Sequence, residues 1–399
     1  MNSRNQFKFH KDAFLEYRFL GFSRSEELPA NSPQSVCCRP YQARYAIFLC
    51  LRELGFSNED EVLAPSYICA AAVEPIRAYG CKPVFYPVTA ECSSNLAEIE
   101  NRIGPRTRAL LVVHYFGFAN RCLRQLRDLC DRRNLVLIED CAHVLSGEVQ
   151  GVRLGQMGDV AVFSFRKFLP VPDGAGLQFN RREASLAATF QRESFASTLK
   201  HWGNMAEQRW PGLQPLSGPV SRAAQSLRWP SLASDRSPRQ KHSEFPDGET
   251  FFDCRRLHSA MSPVSAWVIS HTRIQRVVER RRENYLKLSA RLGEIPGVEL
   301  LFPKLPPTIC PWILPLRLEG YPFAHRTLRE CGIPAVAWDA VRPPEVKGAE
   351  FPDADFLYEN LFFLPVHQSL TAHDIEEMVS AVTLVNRCGQ GRRQVCAAG

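Results

Sequence analysis

The chain has 399 residues, with 49 Lys+Arg against 42 Asp+Glu, a formal net charge of +7 and 45% hydrophobic residues. That length exceeds one ordinary core and predicts a large domain with a smaller one appended, while the composition is globular rather than fibrous or disordered. The basic residues are scattered except over 181–241, where interspersed Pro, Gly and Glu break up a basic face, so no nucleic-acid partner is expected.

The opening stretch "MNSRNQFKFHKDAFLEYRF" lacks the apolar core of a signal peptide, and no later run approaches the roughly 18 apolar residues of a membrane span. A cytoplasmic protein with no membrane partner is expected. The 14 cysteines include no C-x-x-C pair, and most sit inside apolar runs, as Cys50, Cys69, Cys81, Cys141 and Cys331 do. Buried reduced thiols, without a metal site, fit that pattern.

In chain order, "ARYAIFLCLRELGF" places Ala46, Ile47, Cys50, Leu51 and Leu54 on one helical face and stops near Gly55. "EVLAPSYICA" reads as a strand broken by Pro65, "AAVEPIRAYG" as a helix ended by Gly80, and "KPVFYPV" as a second strand. "RALLVVHYFG" is a third strand, "LRQLRDLCDRRN" a helix, and "LVLIED" a fourth strand. Runs that are apolar throughout imply strands covered on both faces, hence an α/β fold with a mostly parallel sheet. Ligands of such sheets sit beyond the carboxyl ends of the strands, which singles out Tyr67, His114, Asp140 and Lys167.

After "DVAVFSF" the regularity fades, and 183–250, rich in Ser, Arg, Pro and Gln, reads as a variable insertion. "SPVSAWVISHTRIQRVVERRRENYLKLSARLGEIPG" then predicts one long amphipathic helix with a solvated basic outer face. Strands near 312–318 and 361–364 and helices near 323–331 and 372–384 complete a small α/β domain. The expected division is an N-terminal arm over 1–30, a large domain over 31–250, a small domain with its linking helix over 251–385, and a tail over 386–399.

The stretch "FSFRKFLPVPDGAG" places one lysine between Phe165 and Phe168, where desolvation favours a neutral and nucleophilic amine. A pyridoxal-phosphate site needs such a lysine for the aldehyde, a carboxylate for the pyridine nitrogen, and amide or hydroxyl donors at a helix start for the phosphate. Lys167, Asp140 at the end of "LVLIED", and Ser164 are candidates for these places. Taken singly, Lys167 also suits a snorkelling surface lysine, Asp140 a helix cap or arginine partner, Ser164 a loop serine, and His114 and His143 ordinary hydrogen-bonded histidines. Their order along the chain is what links them.

That order resembles the DegT/DnrJ/StrS family of sugar aminotransferases, which are fold-type I pyridoxal-phosphate enzymes. "GFSNEDEVLAPSYICAAAVEPIRAYGCKPVFYPV" is similar to the family's G-D-E-V strand, P-x-x-T and G-x-x-P-V-F strand. "RTRALLVVHYFGF" resembles T-K-A-I-x-x-V-H-x-x-G, "LVLIEDCAHVLSG" the E-D-x-A-Q/H strand end, and "LGQMGDVAVFSFRK" the G-x-x-G-D-x-x-x-F-S-F run before the lysine. "LFFLPVHQSLTAHDIEEMV" is similar to the ending L-P-x-H/Y-x-x-L-T, so the resemblance covers roughly residues 36–180 and 255–385.

The resemblance implies a large domain with a mostly parallel central sheet covered by helices and a smaller C-terminal α/β domain. It implies that Lys167 is the Schiff-base lysine, that Asp140 partners the pyridine nitrogen, that His143 lies close to the ring and that Ser164 binds the phosphate. Residues 43–45 fall at the helix start that receives the phosphate. Arg44 and Tyr45 replace the family's small pair there, leaving backbone amides and the Arg44 charge to make the contact. The ring-covering aromatic falls at Cys69, which cannot stack, and neighbouring Tyr67 is the substitute; His114 is counted with the cofactor-binding candidates.

Two further departures stand out. Only Arg166 separates Phe165 from Lys167, and the asparagine usually supplied by the partner subunit is missing from "CRRLHSAMS", with Arg255, Arg256 or His258 in its place. The implied activity is amino transfer from a donor such as glutamate to a keto sugar, nucleotide-linked, by a homodimer. The alternatives are a lyase or dehydratase on the same fold, whose members carry histidine at the lysine position, and a non-catalytic sensor or regulator.

Overall fold

A computed structural model describes residues 17–21, 36–181 and 251–397. The expected insertion over 183–250 and most of the N-terminal arm lie outside the described residues.

The large sheet is built from β1 (Val36–Cys38), β2 (Glu61–Pro65), β3 (Lys82–Tyr86), β4 (Thr107–Val113) and β5 (Val136–Cys141), followed by two further strands. A two-stranded hairpin, β6 (Glu148–Val149) and β7 (Val152–Arg153), precedes β8 (Val160–Ser164) and β9 (Ala175–Phe179). The strand order is β1-β9-β8-β5-β4-β2-β3. Strands β8, β5, β4, β2 and β3 run parallel, whereas β9 is antiparallel to β8 and β1 to β9. Every residue of β5 and β8 is buried, which is why those segments read as unbroken apolar runs.

Helices α1 (Ala43–Glu53), α2 (Ala70–Tyr79), α3 (Leu96–Asn101) and α4 (Leu123–Arg133) connect these strands. Gly80 closes α2 in the left-handed region at φ 103°, a conformation that only glycine adopts without strain. Asn134 does the same after α4 at φ 54°.

The smaller sheet is antiparallel throughout: β10 (Val298–Leu300), β11 (Ile313–Leu318) and β12 (Phe362–Pro365), in that order. Two corrections to the expected helices belong here. The single helix expected after residue 262 is two, Pro263–His271 and Ile274–Gly293. Thr272 leaves helical geometry to bridge Leu20, and Gly21 N–H donates to the His271 carbonyl while Arg273 N–H donates to that of Phe19, so an extended crossing segment breaks the helix. The second correction is that the last helix runs Ala372–Ala397, so residues set apart as a tail are helical.

Among the described residues no helix is long and apolar enough to cross a membrane, and every cysteine is a free thiol.

Candidate active site

The carboxyl ends of β2, β4, β5 and β8 open toward the smaller sheet, and a cavity of about 610 Å³ lies between them. Its walls come from the start of α1 (Gln42, Ala43, Arg44), the start of α2 (Cys69, Ala71), the strand ends (Asp140, Ser164) and the 3-10 turn Phe165–Lys167. Trp312, at the head of β11, closes it from the smaller sheet.

Asp140 and Lys167 face this cavity from neighbouring strands, since β5 pairs with β8 in parallel and Asp140 is in register with Val162. Burial raises the pKa of the Asp140 carboxyl, and the Lys167 ammonium and the Ala142 N–H, which donates to Oδ1 at 2.9 Å, pull it back. Burial likewise lowers Lys167 from its ordinary 10.5 to about 8, against the upward pull of Asp140. An amine with that pKa is neutral in roughly a tenth of molecules at pH 7, a far larger share than for an ordinary lysine, and the neutral form is what nucleophilic attack on a carbonyl requires. Phe165 and Phe168 are buried as expected, but the ring beneath the amine is another one: Nζ lies 4.7 Å from the centroid of Trp312.

His143 lines the cavity three residues past Asp140. Its Nδ1 accepts the Phe116 N–H at 3.3 Å, and burial, followed by the Lys167 charge, holds its pKa well below the usual histidine range. The imidazole is therefore a neutral flat plate. It stacks on the Trp312 indole at 4.2 Å between centroids and 18° between planes.

Arg44 and Ser164 also line the cavity. Helix α1 directs its N-terminus here, and its first carbonyl acceptor, Gln42, serves the amides of Tyr45 and Ala46, leaving those of Ala43 and Arg44 without intrahelical partners. The Arg44 guanidinium donates to the Phe251 carbonyl, which pins residue 251 to the cavity wall. Cys69 lines the cavity and caps α2, with burial raising its thiol pKa.

Three sequence-derived candidates lie elsewhere. Tyr45 follows Arg44 by about 100° around α1, so its ring turns away and packs on Phe252 at 5.2 Å. Tyr67 is drawn under the cavity floor into an aromatic cluster, 4.9 Å from Trp338 and 4.8 Å from Tyr358, and offers no stacking face to the cavity. His114 has both ring nitrogens engaged behind the strand ends: Nδ1 accepts the Asn120 N–H at 3.1 Å, so Nε2 carries the proton and donates to Glu139 at 2.8 Å. Cys141 joins His114 and Glu139 with ligand atoms within 4.8 Å, but the Glu139 oxygens already accept from His114, Gly155 and Gly158. Of the residues considered for the missing asparagine, Arg255 is exposed and pairs with Asp253, and Arg256 lies over the Tyr41 ring.

Sequence reasoning missed two residues of this site. Arg281 is 2% exposed rather than part of a solvated basic face. Its Nε donates to Gln368 Oε1 at 3.0 Å, Nη1 to the Trp312 carbonyl at 2.9 Å, and Nη2 to the Phe168 carbonyl at 3.1 Å. The signal was present, because Arg281 falls on the stripe of Ile274, Val277, Val278, Tyr285, Leu288 and Leu292 that the helix buries. Trp312 carried no comparable signal.

Residues 42–190 match the model of the DegT/DnrJ/EryC1/StrS aminotransferase family. Over that stretch the chain is similar to the family. GDP-perosamine synthase of Vibrio cholerae, a relative, is 36% identical over 133 residues, 33% of this chain and 36% of that protein. The dTDP-4-dehydro-2,3,6-trideoxy-D-glucose 4-aminotransferase of Saccharopolyspora spinosa is 27% identical over 262 residues, 65% of this chain and 59% of its own. The matched regions thus span between about a third and three-fifths of these relatives. Among solved structures, the aminotransferase TlmJ from Streptoalloteichus hindustanus shares the fold with a TM-score of 0.62 and 24% identity, over 88% of this chain and 86% of that one. The matched stretch carries Asp140, His143, Ser164 and Lys167, whereas Trp312 and Arg281 lie outside it.

Proposed function

We propose that this chain is a pyridoxal-phosphate-dependent aminotransferase that moves an amino group from an amino-acid donor such as glutamate to a keto sugar, nucleotide-linked, and that it works as a homodimer. One observation carries the reading: a lysine with its pKa brought to about 8 shares a cavity with a buried carboxylate at the end of the adjacent parallel strand. The match of residues 42–190 to an aminotransferase family and the names of similar proteins support it.

The donor set fits the cofactor. Asp140 is a buried carboxylate that a pyridinium would neutralise, Lys167 is a neutralisable amine, and the free amides of the α1 start with Ser164 and Arg44 suit a phosphate. The cavity volume lies within the range of cofactor and small-molecule sites. When bound, pyridoxal phosphate supplies an aldehyde that takes up amino groups and a ring that withdraws electrons from the adjacent carbon.

The protein supplies the rest. Lys167 Nζ would hold the cofactor through its aldehyde and, as a free amine, would carry a proton between the substrate carbon and the cofactor. Asp140 would keep the ring nitrogen protonated, so that the ring stays electron-poor. His143, neutral and flat, would limit the ring's movement, and the burial of Asp140 and His143 would keep water from that side of the ring.

The test is the visible absorbance of the purified chain mixed with pyridoxal phosphate, before and after Lys167→Ala. A band fixed by borohydride to the peptide bearing Lys167, and missing from the variant, is expected. Amino transfer from glutamate to nucleotide-linked keto sugars is then assayed, with Lys167→Ala slower by about 10²–10⁴-fold. A wild-type protein without that band rejects the cofactor; a band without transfer to any keto sugar rejects the substrate class.

A further inference from the structure

Cys69 holds no ring and Tyr67 is turned into the floor, so neither position covers a flat ligand in the cavity. The aromatic that does reach the site comes from the other sheet. Trp312 is half-buried, lines the cavity, stacks on His143 at 4.2 Å and lies under the Lys167 amine.

At that separation no third ring fits between indole and imidazole, because each aromatic layer needs about 3.5 Å. The slot on His143 opens only if one plate moves. His143 is held by its ring hydrogen bond to the Phe116 N–H. The Trp312 main chain is held as well, its N–H donating to the Phe116 carbonyl at 2.9 Å and its carbonyl accepting from Arg281 at 2.9 Å. Among the described residues the indole N–H finds no hydrogen-bond partner, so the ring can turn about its own side-chain torsions.

From this geometry we infer that Trp312 is the ring-covering residue of this chain: its indole swings off His143 to admit the cofactor ring and then packs on the ring's outer face. The inference rests on the cofactor reading above. Its chemistry is coupled to Lys167, since the contact between the ammonium and the indole face is lost when that amine gives up its charge to hold the aldehyde. The indole would thus be freed by the same event that fills the slot.

The experiment measures pyridoxal phosphate dissociation constants by absorbance for the full-length wild type, W312F and W312L, together with tryptophan emission during the titration. W312F, which keeps a flat plate, is expected within about threefold of wild type, and W312L, apolar but not flat, about tenfold weaker. The share of emission present in wild type and absent from W312F is expected to be quenched as cofactor binds. W312L binding as tightly as wild type, or more tightly, overturns the inference and makes the indole an obstacle or a bystander. If W312L does not fold, emission decides: a Trp312 signal unchanged at saturating cofactor overturns it equally. A wild type that binds no cofactor removes the underlying reading and this inference with it, a result distinct from tight binding by every variant.

Discussion

Asp140 and Lys167 leave neighbouring parallel strands and face one cavity, each moderating what burial does to the other's charge. Burial alone would neutralise both; the carboxylate draws the lysine upward and the ammonium draws the carboxyl downward. The result is a lysine at about 8 rather than one locked in either state.

Asp140→Asn removes the largest influence that raises the Lys167 pKa, so the amine should titrate below about 8 in the cofactor-free protein. Labelling with an amine-reactive reagent across pH, read at the Lys167 peptide by mass spectrometry, gives the midpoint. An unchanged or raised midpoint would mean that Asp140 does not act on this amine.

The same shift sets a pH dependence of stability. Between about 8 and 10.5 the unfolded chain keeps a proton on Lys167 that the folded chain has released, so this group's contribution to stability rises with pH across that window. Below about 8 both states are charged and the full cost of burying the ammonium applies. Lys167→Met has no proton to release, so urea midpoints of wild type and variant should differ most in favour of the variant below about pH 8 and converge toward 10.5. Parallel curves would falsify the assigned shift.

Much of this architecture is legible in the sequence, for a physical reason. Doubly covered strands must be apolar throughout, and helices must stop where Gly80 or Asn134 can adopt positive φ, so β2 through β5 and their helices are marked locally. Strand-end chemistry is equally local, which is why Asp140, His143, Ser164 and Lys167 emerge. Tyr67 and His114 are misleading because strand-end position does not determine where a side chain turns: Trp338 and Tyr358 hold one, and Glu139 and the Asn120 amide hold the other. Trp312 joins the site only through packing of the smaller sheet on the larger, and nothing within the neighbouring sequence encodes that contact.

Gly117 is where this packing is tightest. Its φ is +99°, and a Cβ there would stand 2.5 Å from the Cys310 carbonyl and 3.1 Å from that of His143. Gly117→Ala therefore combines an unfavourable backbone conformation with a clash against main chain, for a loss of about 2 kcal/mol or more by urea denaturation. A change below about 0.5 kcal/mol, the scale of ordinary surface substitutions, would show that the 310–312 segment is free to shift.

Arg281 is the charge on which the two sheets meet. It is buried, its face lies 4.9 Å from the Phe168 ring, and its donors reach the carbonyls of Phe168 and Trp312 and the side chain of Gln368. Gln368 itself donates to the Phe168 carbonyl at 3.0 Å, so loss of the guanidinium does not strand that carbonyl completely, but the Trp312 carbonyl and Gln368 Oε1 lose a charged donor. Arg281→Met keeps much of the length and apolar stem while removing every donor. Each buried acceptor left unpaired costs about 1–3 kcal/mol, so a loss near 3 kcal/mol in urea denaturation is expected. Arg281→Lys should recover part of it, since one ammonium reaches fewer of these acceptors than the planar fork does. If Arg281→Met cost less than about 1 kcal/mol, water would be serving those carbonyls in its place, and the guanidinium would not be what ties Trp312 to the Lys167 turn.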